Sequence, residues 1–475
     1  MNFKEKLVIK SEVSGQHKTN DQLLTLYQLI CLGIGMVIGG GIFVLTGIAA
    51  GNHAGPAVTL SFALAGIVCI CVGFCYAEFS SIMNTTGSSY SYIYMSFGEL
   101  PAFIIGFVTI LGYYFGSITA ISGFSGYFTD LLADFHIYLP RCLILSTRSL
   151  ISHNNSCIHD FLDLPALVIT LLSTCLLLTS IKTSLFMTSF LVISKILVLL
   201  IFIIVGSQYI DTNNFLPYIP PNLGEYGKFG ISGIISGTTI VFLAFNGFDA
   251  VCTATQEAKK PSKDIPVAIL VTIASVTIIY TSVAFVLTGI INYQELCVPQ
   301  SFVLALKKID IYWFNYVIKI GAIIGLCSVI ITSLFTIIRM LLIISSDKLL
   351  PVFLTTTDKK NTPRNITLIV GLSMAIISSI FKSDAMIKFS SFLILISLIS
   401  VCIATTFMRY KAPNIKRNFK CPLMPFIPMV GITVISYMLT YYSWKIYLST
   451  FIMILLVIIY YFKQKFNREK MAPLN

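Results

Sequence analysis

Long apolar runs recur from Leu24 to Tyr461, and they constrain the fold of this chain more than any other feature of its sequence. A membrane-spanning helix needs about 20 mostly apolar residues, and the runs provide twelve segments of that size. Only 11% of the residues are charged, whereas soluble domains carry about 25%. The sequence therefore predicts an all-α integral membrane protein with twelve transmembrane helices. The predicted segments are 24–50, 56–83, 99–128, 162–181, 185–206, 230–254, 266–291, 314–345, 365–382, 386–408, 424–441 and 443–462.

The net charge is +12, and most Lys and Arg residues lie at the two ends and in alternate short loops between the segments. Cytoplasmic loops of membrane proteins are enriched in these residues, so the pattern predicts that both termini are cytoplasmic. Charges spread in this way do not form the continuous basic surface of a nucleic-acid-binding protein. We predict a multi-pass protein of the plasma membrane without a nucleic-acid partner, and its oligomeric state stays open.

All five His residues lie outside the apolar segments or at their ends, and no CxxC motif has a second CxxC or a His pair as partner. The pattern therefore favours neither an enzyme nor a metal or cofactor site. The long outward loop, about residues 129–161, contains Cys142 and Cys157. We interpret it as a solvated loop, in which these two cysteines could form a disulfide if that side of the membrane is oxidising.

The first segment contains three consecutive glycines, Gly39-Gly40-Gly41, at its middle. Each glycine costs a helix about 1 kcal/mol relative to alanine. Small residues four apart, such as Gly35 and Gly39, would be explained by close helix packing alone. The three-glycine run exceeds what packing requires and favours an unwound stretch, which a membrane tolerates only where the freed backbone groups line a polar cavity.

The sixth segment has a matching interruption at Asn246-Gly247, followed by the carboxylate of Asp249. After each interruption we expect a helix that opens on proline, at Pro56 and Pro266. Paired interruptions of this kind indicate a transporter with a five-plus-five inverted repeat. The predicted divisions are a cytoplasmic tail 1–23, a first repeat 24–208, a second repeat 230–410, two additional C-terminal helices 424–462, and a cytoplasmic tail 463–475.

Two broken helices that face each other suit one class of substrate. Half-helix N-termini offer N–H groups and positive dipole ends, and the opposed carbonyl ends offer acceptors. Such a site satisfies the carboxylate and the ammonium of an α-amino acid together. Asp249 is either a substrate contact or a structural cap of a half-helix, and the sequence alone leaves both open.

Lys195 lies about nine residues into the fifth segment, hence about 13 Å deep. Placing a charge there costs at least about 2.5–3.5 kcal/mol, so we expect Lys195 to face the bundle interior, where it could exchange a proton. Lys319 and Arg339 lie near segment ends, and we expect them to snorkel toward water. Glu78, near the predicted cytoplasmic end of the second segment, is expected to be structural.

Eight stretches in order along nearly the whole chain form a recognisable pattern. They are Gly-Ile-Gly-x-x-Ile-Gly-x-Gly-Ile-Phe-Val-Leu-Thr-Gly (33–47), Gly-Pro-Ala-Val-Thr-Leu-Ser-Phe (55–62), Cys-Tyr-Ala-Glu-Phe (75–79), Gly-Ser-Ser-Tyr-Ser-Tyr (87–92), Gly-Phe-Asp-Ala (247–250), Lys-Lys-Pro-Ser-Lys-Asp-Ile-Pro (259–266), Ser-Asp-Lys-Leu-Leu-Pro (346–351) and Pro-Leu-Met-Pro-Phe-Ile-Pro (422–428). Together they resemble the amino acid–polyamine–organocation superfamily, and within it the cationic amino acid transporter family and its bacterial relatives.

The resemblance implies an alternating-access amino acid permease with its substrate at the two breaks. It implies that the amides of Gly40 and Gly41 hold the carboxylate, and that Lys195 occupies the place of a sodium ion, which suggests proton coupling. Rocking of segments 1, 2, 6 and 7 would use the two breaks as hinges. It further implies that carbonyls near Val37, Ile38, Leu243, Ala244 and Asn246 hold the ammonium, and that Gly39 and Gly247 complete the substrate-binding set.

Three residues depart from the family pattern. Gly112 stands where members usually carry an acidic residue, Asn246 replaces an aliphatic residue, and Gln256 replaces one acid of a pair. A buried cationic side chain without a counter-charge is costly, so we expect a neutral L-amino acid rather than Arg or Lys. The alternatives are an Arg or Lys transporter in which Asp249 or Glu78 supplies the charge, an amino acid exchanger and, remotely, a transporter-like nutrient sensor.

Overall fold

The computed structural model describes residues 24–83, 88–140, 143, 162–179, 181–222, 224–297, 301–309, 312–354, 363–380 and 384–471, and these residues are almost entirely helical. A single parallel bridge between Leu24 and Ala258 is the nearest approach to a strand in those ranges. The α-helices are α1 Leu26–Val37, α2 Gly40–Ala49, α3 Val58–Ile82, α4 Ser89–Phe97, α5 Glu99–Asp134, α6 Leu164–Leu178, α7 Ile181–Gly206, α8 Gly230–Phe242, α9 Pro261–Ile290, α10 Ser301–Ile309, α11 Tyr312–Ser346, α12 Arg364–Ile380, α13 Asp384–Lys411, α14 Phe426–Leu439 and α15 Trp444–Met471.

Eight helical stretches among the described residues are long and apolar enough to cross a membrane, and four further apolar helices are shorter. The multi-pass, all-helical architecture predicted from the apolar runs is thereby confirmed. α11 lies at the centre, with 78% of its most apolar stretch buried, whereas α15 lies at the edge with 17% buried. α15, the last of the described helices, is therefore peripheral.

Several boundaries differ from those predicted. The expectation that a helix opens on Pro266 is wrong, because α9 begins at Pro261 and includes Pro266. Proline is favoured in the first turn of a helix because the N–H that it lacks would be unpaired there. Two short helices, α4 and α10, were not predicted, and α15 continues to Met471, nine residues beyond the predicted end of its segment. The predicted N-terminal tail and the Cys142–Cys157 pair lie outside the described residues.

Lys319 and Arg339 do not snorkel, contrary to expectation. The Lys319 ammonium lies 2.8 Å from a carboxylate oxygen of Asp130 and 2.6 Å from one of Asp134, which joins α11 to α5. Arg339 forms a 2.6 Å ion pair with Glu257, and both side chains are buried. Paired opposite charges can stay buried because each replaces part of the other's hydration.

Glu78 is structural, as expected, and it fixes the connection between α13 and α14. Its carboxylate receives two hydrogen bonds from Arg409, at 3.0 and 2.6 Å. The backbone N–H of Cys421 donates a third at 2.9 Å, and the Arg417 guanidinium lies 2.9 Å away. This buried cluster anchors the segment before α14 to α3.

Candidate functional site

The first break lies between α1 and α2. α1 ends at Val37, and Ile38 is extended, with φ −78° and ψ 97°. Gly39 turns the chain (φ −134°, ψ −147°), and Gly40 already belongs to α2. The break is therefore shorter than the predicted Gly39–Gly41 stretch, because Gly40 and Gly41 form the first turn of the second half-helix.

The second break follows α8. One 3-10 turn over Leu243–Phe245 ends at Asn246 (ψ 136°), and Gly247 has a φ of +113°. A 3-10 helix, Phe248–Glu257, then completes the segment. A Cβ at position 247 would stand 2.3 Å from Cγ of Met36, so this position needs glycine for both its left-handed conformation and its contact with α1.

The two breaks touch each other, as the sequence predicts for a shared site. A Cβ at Gly41 would lie 3.0 Å from the Ala244 Cβ and 3.1 Å from its Cα. Gly40, Gly41, Leu243 and Asn246 are partly exposed, whereas Ala244 is buried. The contact between the breaks therefore leaves the N-terminus of α2 and Asn246 partly accessible.

Lys195 caps the end of α1 from α7. Its ammonium donates to the carbonyl of Gly35 at 2.9 Å, to the carbonyl of Ile38 at 2.6 Å and to the Ser328 hydroxyl at 2.7 Å. Only 1% of the side chain is exposed. The last carbonyls of a helix lack intrahelical partners, and the three donors of this ammonium supply them. Lys195 thereby joins α7, the first break and α11.

Tyr280 of α9 joins the two breaks to each other. Its hydroxyl lies 3.0 Å from the Val37 carbonyl and 3.3 Å from the Ala244 carbonyl, and it donates toward both. The ring packs edge-on against Phe62 and Phe245. Our sequence reasoning missed Tyr280, although a tyrosine in the middle of an apolar segment was the available signal. Two carbonyls assigned to a substrate ammonium thus already accept a hydrogen bond.

Two groups of hydrogen-bonding atoms at the breaks have no protein partner among the described residues. No side chain caps the N-terminus of α2 at Gly39, which leaves the first N–H groups of that helix free. The Asn246 Oδ1 is buried without a hydrogen bond. Buried polar atoms are nearly always paired, so these free donors and this free acceptor mark where a ligand can bind.

Asp249 follows the second break and contacts α5, and Gly112 is a residue of α5 that packs against α13. The Asp249 carboxylate is buried and accepts a hydrogen bond from the Tyr113 hydroxyl. A Cβ at Gly112 would stand 2.9 Å from Cγ1 of Ile394, and the Gly112 carbonyl accepts a hydrogen bond from Ser390. Position 112 therefore packs against α13, so an acidic side chain there would meet that helix first.

The structure thus places the predicted residues around one junction of two broken helices. Val37, Ile38 and Ala244 contribute carbonyls that Lys195 and Tyr280 already engage, whereas Gly40, Gly41 and Asn246 contribute groups that remain free. Such a junction offers donors for an anionic group beside an acceptor for a donor group. It contains no nucleophile–base pair of the kind covalent catalysis requires.

The sequence matches the amino acid permease family over residues 24–462. It is 36% identical to a methylthioribose transporter of Bacillus subtilis (strain 168), over 90% of this chain and 90% of that protein. It is 34% identical to a branched-chain amino acid permease of the same bacterium, over 94% of this chain and 93% of that protein. It is 29% identical to a mitochondrial cationic amino acid transporter of Arabidopsis thaliana, over 85% of this chain and 65% of that protein.

Proposed function

The chain belongs to the amino acid permease family, and we propose that it imports a neutral L-amino acid together with a proton by alternating access. Transport, and not catalysis, follows from the family. The proposal adds the substrate class, the coupling ion and the plasma membrane as the site of action.

The observation that carries the proposal is the pair of broken helices in contact, with uncapped N–H groups on one and a free amide oxygen on the other. The N-terminus of α2 would hold the substrate carboxylate through the Gly40 and Gly41 amides. The Asn246 Oδ1 and the carbonyls near it would receive the ammonium. Both charged ends of an amino acid would then be satisfied within one turn of each break.

The preference for a neutral side chain rests on the charges near the junction. Asp249 is the acidic residue nearest to the breaks in sequence, and its carboxylate is engaged by Tyr113. A buried guanidinium or ammonium needs a counter-charge. Transport of Arg or Lys would therefore require the Asp249 carboxylate to release the Tyr113 hydroxyl and bind the substrate side chain instead. An uptake experiment must distinguish this alternative from transport of a neutral amino acid.

Proton coupling is proposed through Lys195. Two carbonyls and one hydroxyl around its ammonium are oxygen ligands of the kind a small cation also binds, and the lysine already fills that position. A neutral amine has two N–H donors instead of three, so proton loss would weaken the attachment of α7 and α11 to the first break. Protonation would favour the arrangement that binds substrate.

For the topology, we propose that all twelve apolar segments span the membrane with both termini cytoplasmic. The five helical segments within 24–208 and the five within 230–410 would form the inverted repeats, with 424–462 outside them. Gly39 and Gly247 have no side chain to restrict their backbone angles, so they are suited to act as hinges. Lys195, Gly40, Gly41, Asn246 and Asp249 would then lie near the middle of the bilayer.

A second candidate substrate is methylthioribose, which appears in the name of one of the relatives. One observation favours it, because the Val37 and Ala244 carbonyls accept from Tyr280 and are thus less available to an ammonium. The Asn246 amide can bind a sugar hydroxyl as readily as an amino group. This candidate needs no carboxylate at the α2 N-terminus.

Competition for uptake into proteoliposomes tests these assignments. Labelled alanine, arginine and methylthioribose are offered as separate tracers, and unlabelled leucine and serine compete with each one. Uptake of alanine that leucine or serine inhibits, without uptake of arginine, is the expected result. Uptake of arginine alone would assign a cationic substrate, and uptake of methylthioribose alone would assign the second candidate. Uptake that requires amino acid inside the vesicles would make the protein an exchanger, and no uptake of any labelled candidate would favour a sensor.

A further inference from the structure

A groove of about 400 Å³ lies between α5 and α15, away from the two breaks. Phe103 and Phe107 of α5 form its floor, and Met453, Leu456 and Tyr460 of α15 form one wall. Leu456 is 60% exposed, so the groove opens outward. Because α15 is an apolar helix at the edge of the bundle, the surrounding medium is the hydrocarbon of the bilayer.

The floor of this α5–α15 groove rests on fixed aromatic rings. Phe103 is completely buried; its ring centroid lies 4.8 Å from that of Phe107, and its ring is nearly parallel to that of Tyr460. Tyr461 also packs against Phe103. The Phe107 and Tyr460 rings, held in place by Phe103, offer an apolar surface that suits a flexible hydrocarbon chain.

The groove ends at an exposed lysine of α15. Groove residues recur at positions 449, 453, 456 and 460, so position 463 continues the same helical face. Lys463 is exposed and follows Tyr460 by about 4.5 Å along the helix axis. Lys465 is also exposed, but two residues turn an α-helix by about 200°, so Lys465 lies on the opposite face. The Gln464 amide, which donates to the Tyr460 hydroxyl at 3.0 Å, lies at the same level.

The length of α15 places these lysines at the membrane surface. Its 28 residues span about 42 Å, whereas the hydrocarbon core is about 30 Å thick. With Trp444 at one interface, where tryptophan is favoured, the core ends close to Lys463. The apolar groove therefore lies at the depth of the acyl chains, and the two lysines lie at the depth of the phosphates.

We propose that the α5–α15 groove binds an anionic phospholipid, with one acyl chain against Phe107, Met453 and Leu456 and the headgroup at Lys463. A second copy of the chain fits this face poorly. Copies related by a two-fold axis along the membrane normal would bring the same lysine of each copy together at the same depth, and like charges repel. An anionic headgroup is complementary to this lysine.

The test measures lipid retained by the purified full-length protein, by native mass spectrometry. The probes are phosphatidylglycerol and phosphatidylcholine with identical acyl chains. A lysine near an anionic headgroup contributes about fivefold in affinity, so the wild type should prefer phosphatidylglycerol by about fivefold. Lys463→Gln should abolish this preference. Ser449→Phe, which fills the groove, should reduce retention of both lipids.

The matched control is Lys445→Gln, at the opposite end of α15, which should behave as the wild type does. Equal retention of the two lipids by the wild type would overturn the proposal, as would an unchanged preference in the Lys463→Gln variant. Dimers that dissociate in the Ser449→Phe variant would instead assign the groove to a second copy. Because lipid retention requires no substrate, these outcomes are independent of the proposed transport reaction.

Discussion

Replacement of Tyr280 by phenylalanine separates the two roles that its hydroxyl could have at the breaks. The hydroxyl lies within hydrogen-bonding distance of the Val37 and Ala244 carbonyls, at 3.0 and 3.3 Å. Both carbonyls belong to the acceptor set assigned to the substrate ammonium. Tyr280→Phe removes one oxygen and keeps the ring that packs against Phe62 and Phe245, so its effect is confined to this hydrogen bond.

The expected magnitude follows from the two carbonyls. One hydroxyl proton serves both, and leaving a buried acceptor unpaired costs about 1–3 kcal/mol. In the variant this cost applies to the substrate-free protein and is relieved when the substrate ammonium donates to the carbonyls. The dissociation constant for the amino acid should therefore decrease by about 5-fold to 150-fold.

The assay is equilibrium binding of a labelled amino acid to purified wild type and Tyr280→Phe. The control ligand is the matching carboxylic acid without the amino group, which cannot supply the missing donor. The gain in affinity should appear for the amino acid and be absent for the acid. The melting temperature of the ligand-free variant should fall, because its breaks are joined by one bond fewer.

Two results would refute this reasoning. Weaker binding of the amino acid by Tyr280→Phe would mean that the hydroxyl contacts the substrate directly. Equal affinities in wild type and variant, with a lower melting temperature, would mean that the ammonium binds elsewhere and that Tyr280 is only structural. In either case the Val37 and Ala244 carbonyls would leave the proposed substrate site.

Two further substitutions test the packing around this site and beyond it. Gly41→Ala places a methyl group 3.0 Å from the Ala244 Cβ, so the rate of uptake should fall about tenfold or more. The control is Gly123→Ala, whose Cβ would lie an ordinary 3.5 Å from Leu326, and this variant should transport normally. Equal rates of uptake in the two variants would contradict close contact of the breaks. Glu78→Gln removes the carboxylate shared by Arg409 and Arg417, so the free energy of unfolding should fall by up to about 3–5 kcal/mol. Thermal unfolding in detergent measures this change. An unchanged melting temperature would show that the cluster is not stabilising.

The all-helical, multi-span architecture could be predicted from the sequence because the length of an apolar run is a strong, local signal. The two breaks were also predictable, since a Gly39-Gly40-Gly41 run and an Asn246-Gly247 pair both weaken a regular helix in the middle of an apolar segment. The depth of Lys195 in its segment indicated an interior position, and the structure places its ammonium on the carbonyls of the first break.

The partners of charged and polar side chains were not predictable in the same way. The sequence shows that Lys319 and Arg339 lie near segment ends, and this position suggested snorkelling. It does not show that their partners Asp130, Asp134 and Glu257, which are distant in sequence, lie beside them in the folded chain. Tyr280 was missed for the same reason, because its acceptors at Val37 and Ala244 are brought near only by folding. The carbonyls that the family resemblance implies for a substrate ammonium thus include two that already have a protein donor.

The central claim is that Lys195 couples proton movement to amino acid transport, and uptake of labelled alanine under an imposed proton gradient tests it most directly. Wild-type vesicles should accumulate alanine only with an inward gradient. Lys195→Ala should retain exchange of internal for external alanine but lose the response to the gradient, whereas Lys319→Ala, a second buried lysine far from the breaks, should retain that response. Gradient-driven accumulation by Lys195→Ala at the wild-type level would contradict the account and leave Lys195 a structural cap of α1.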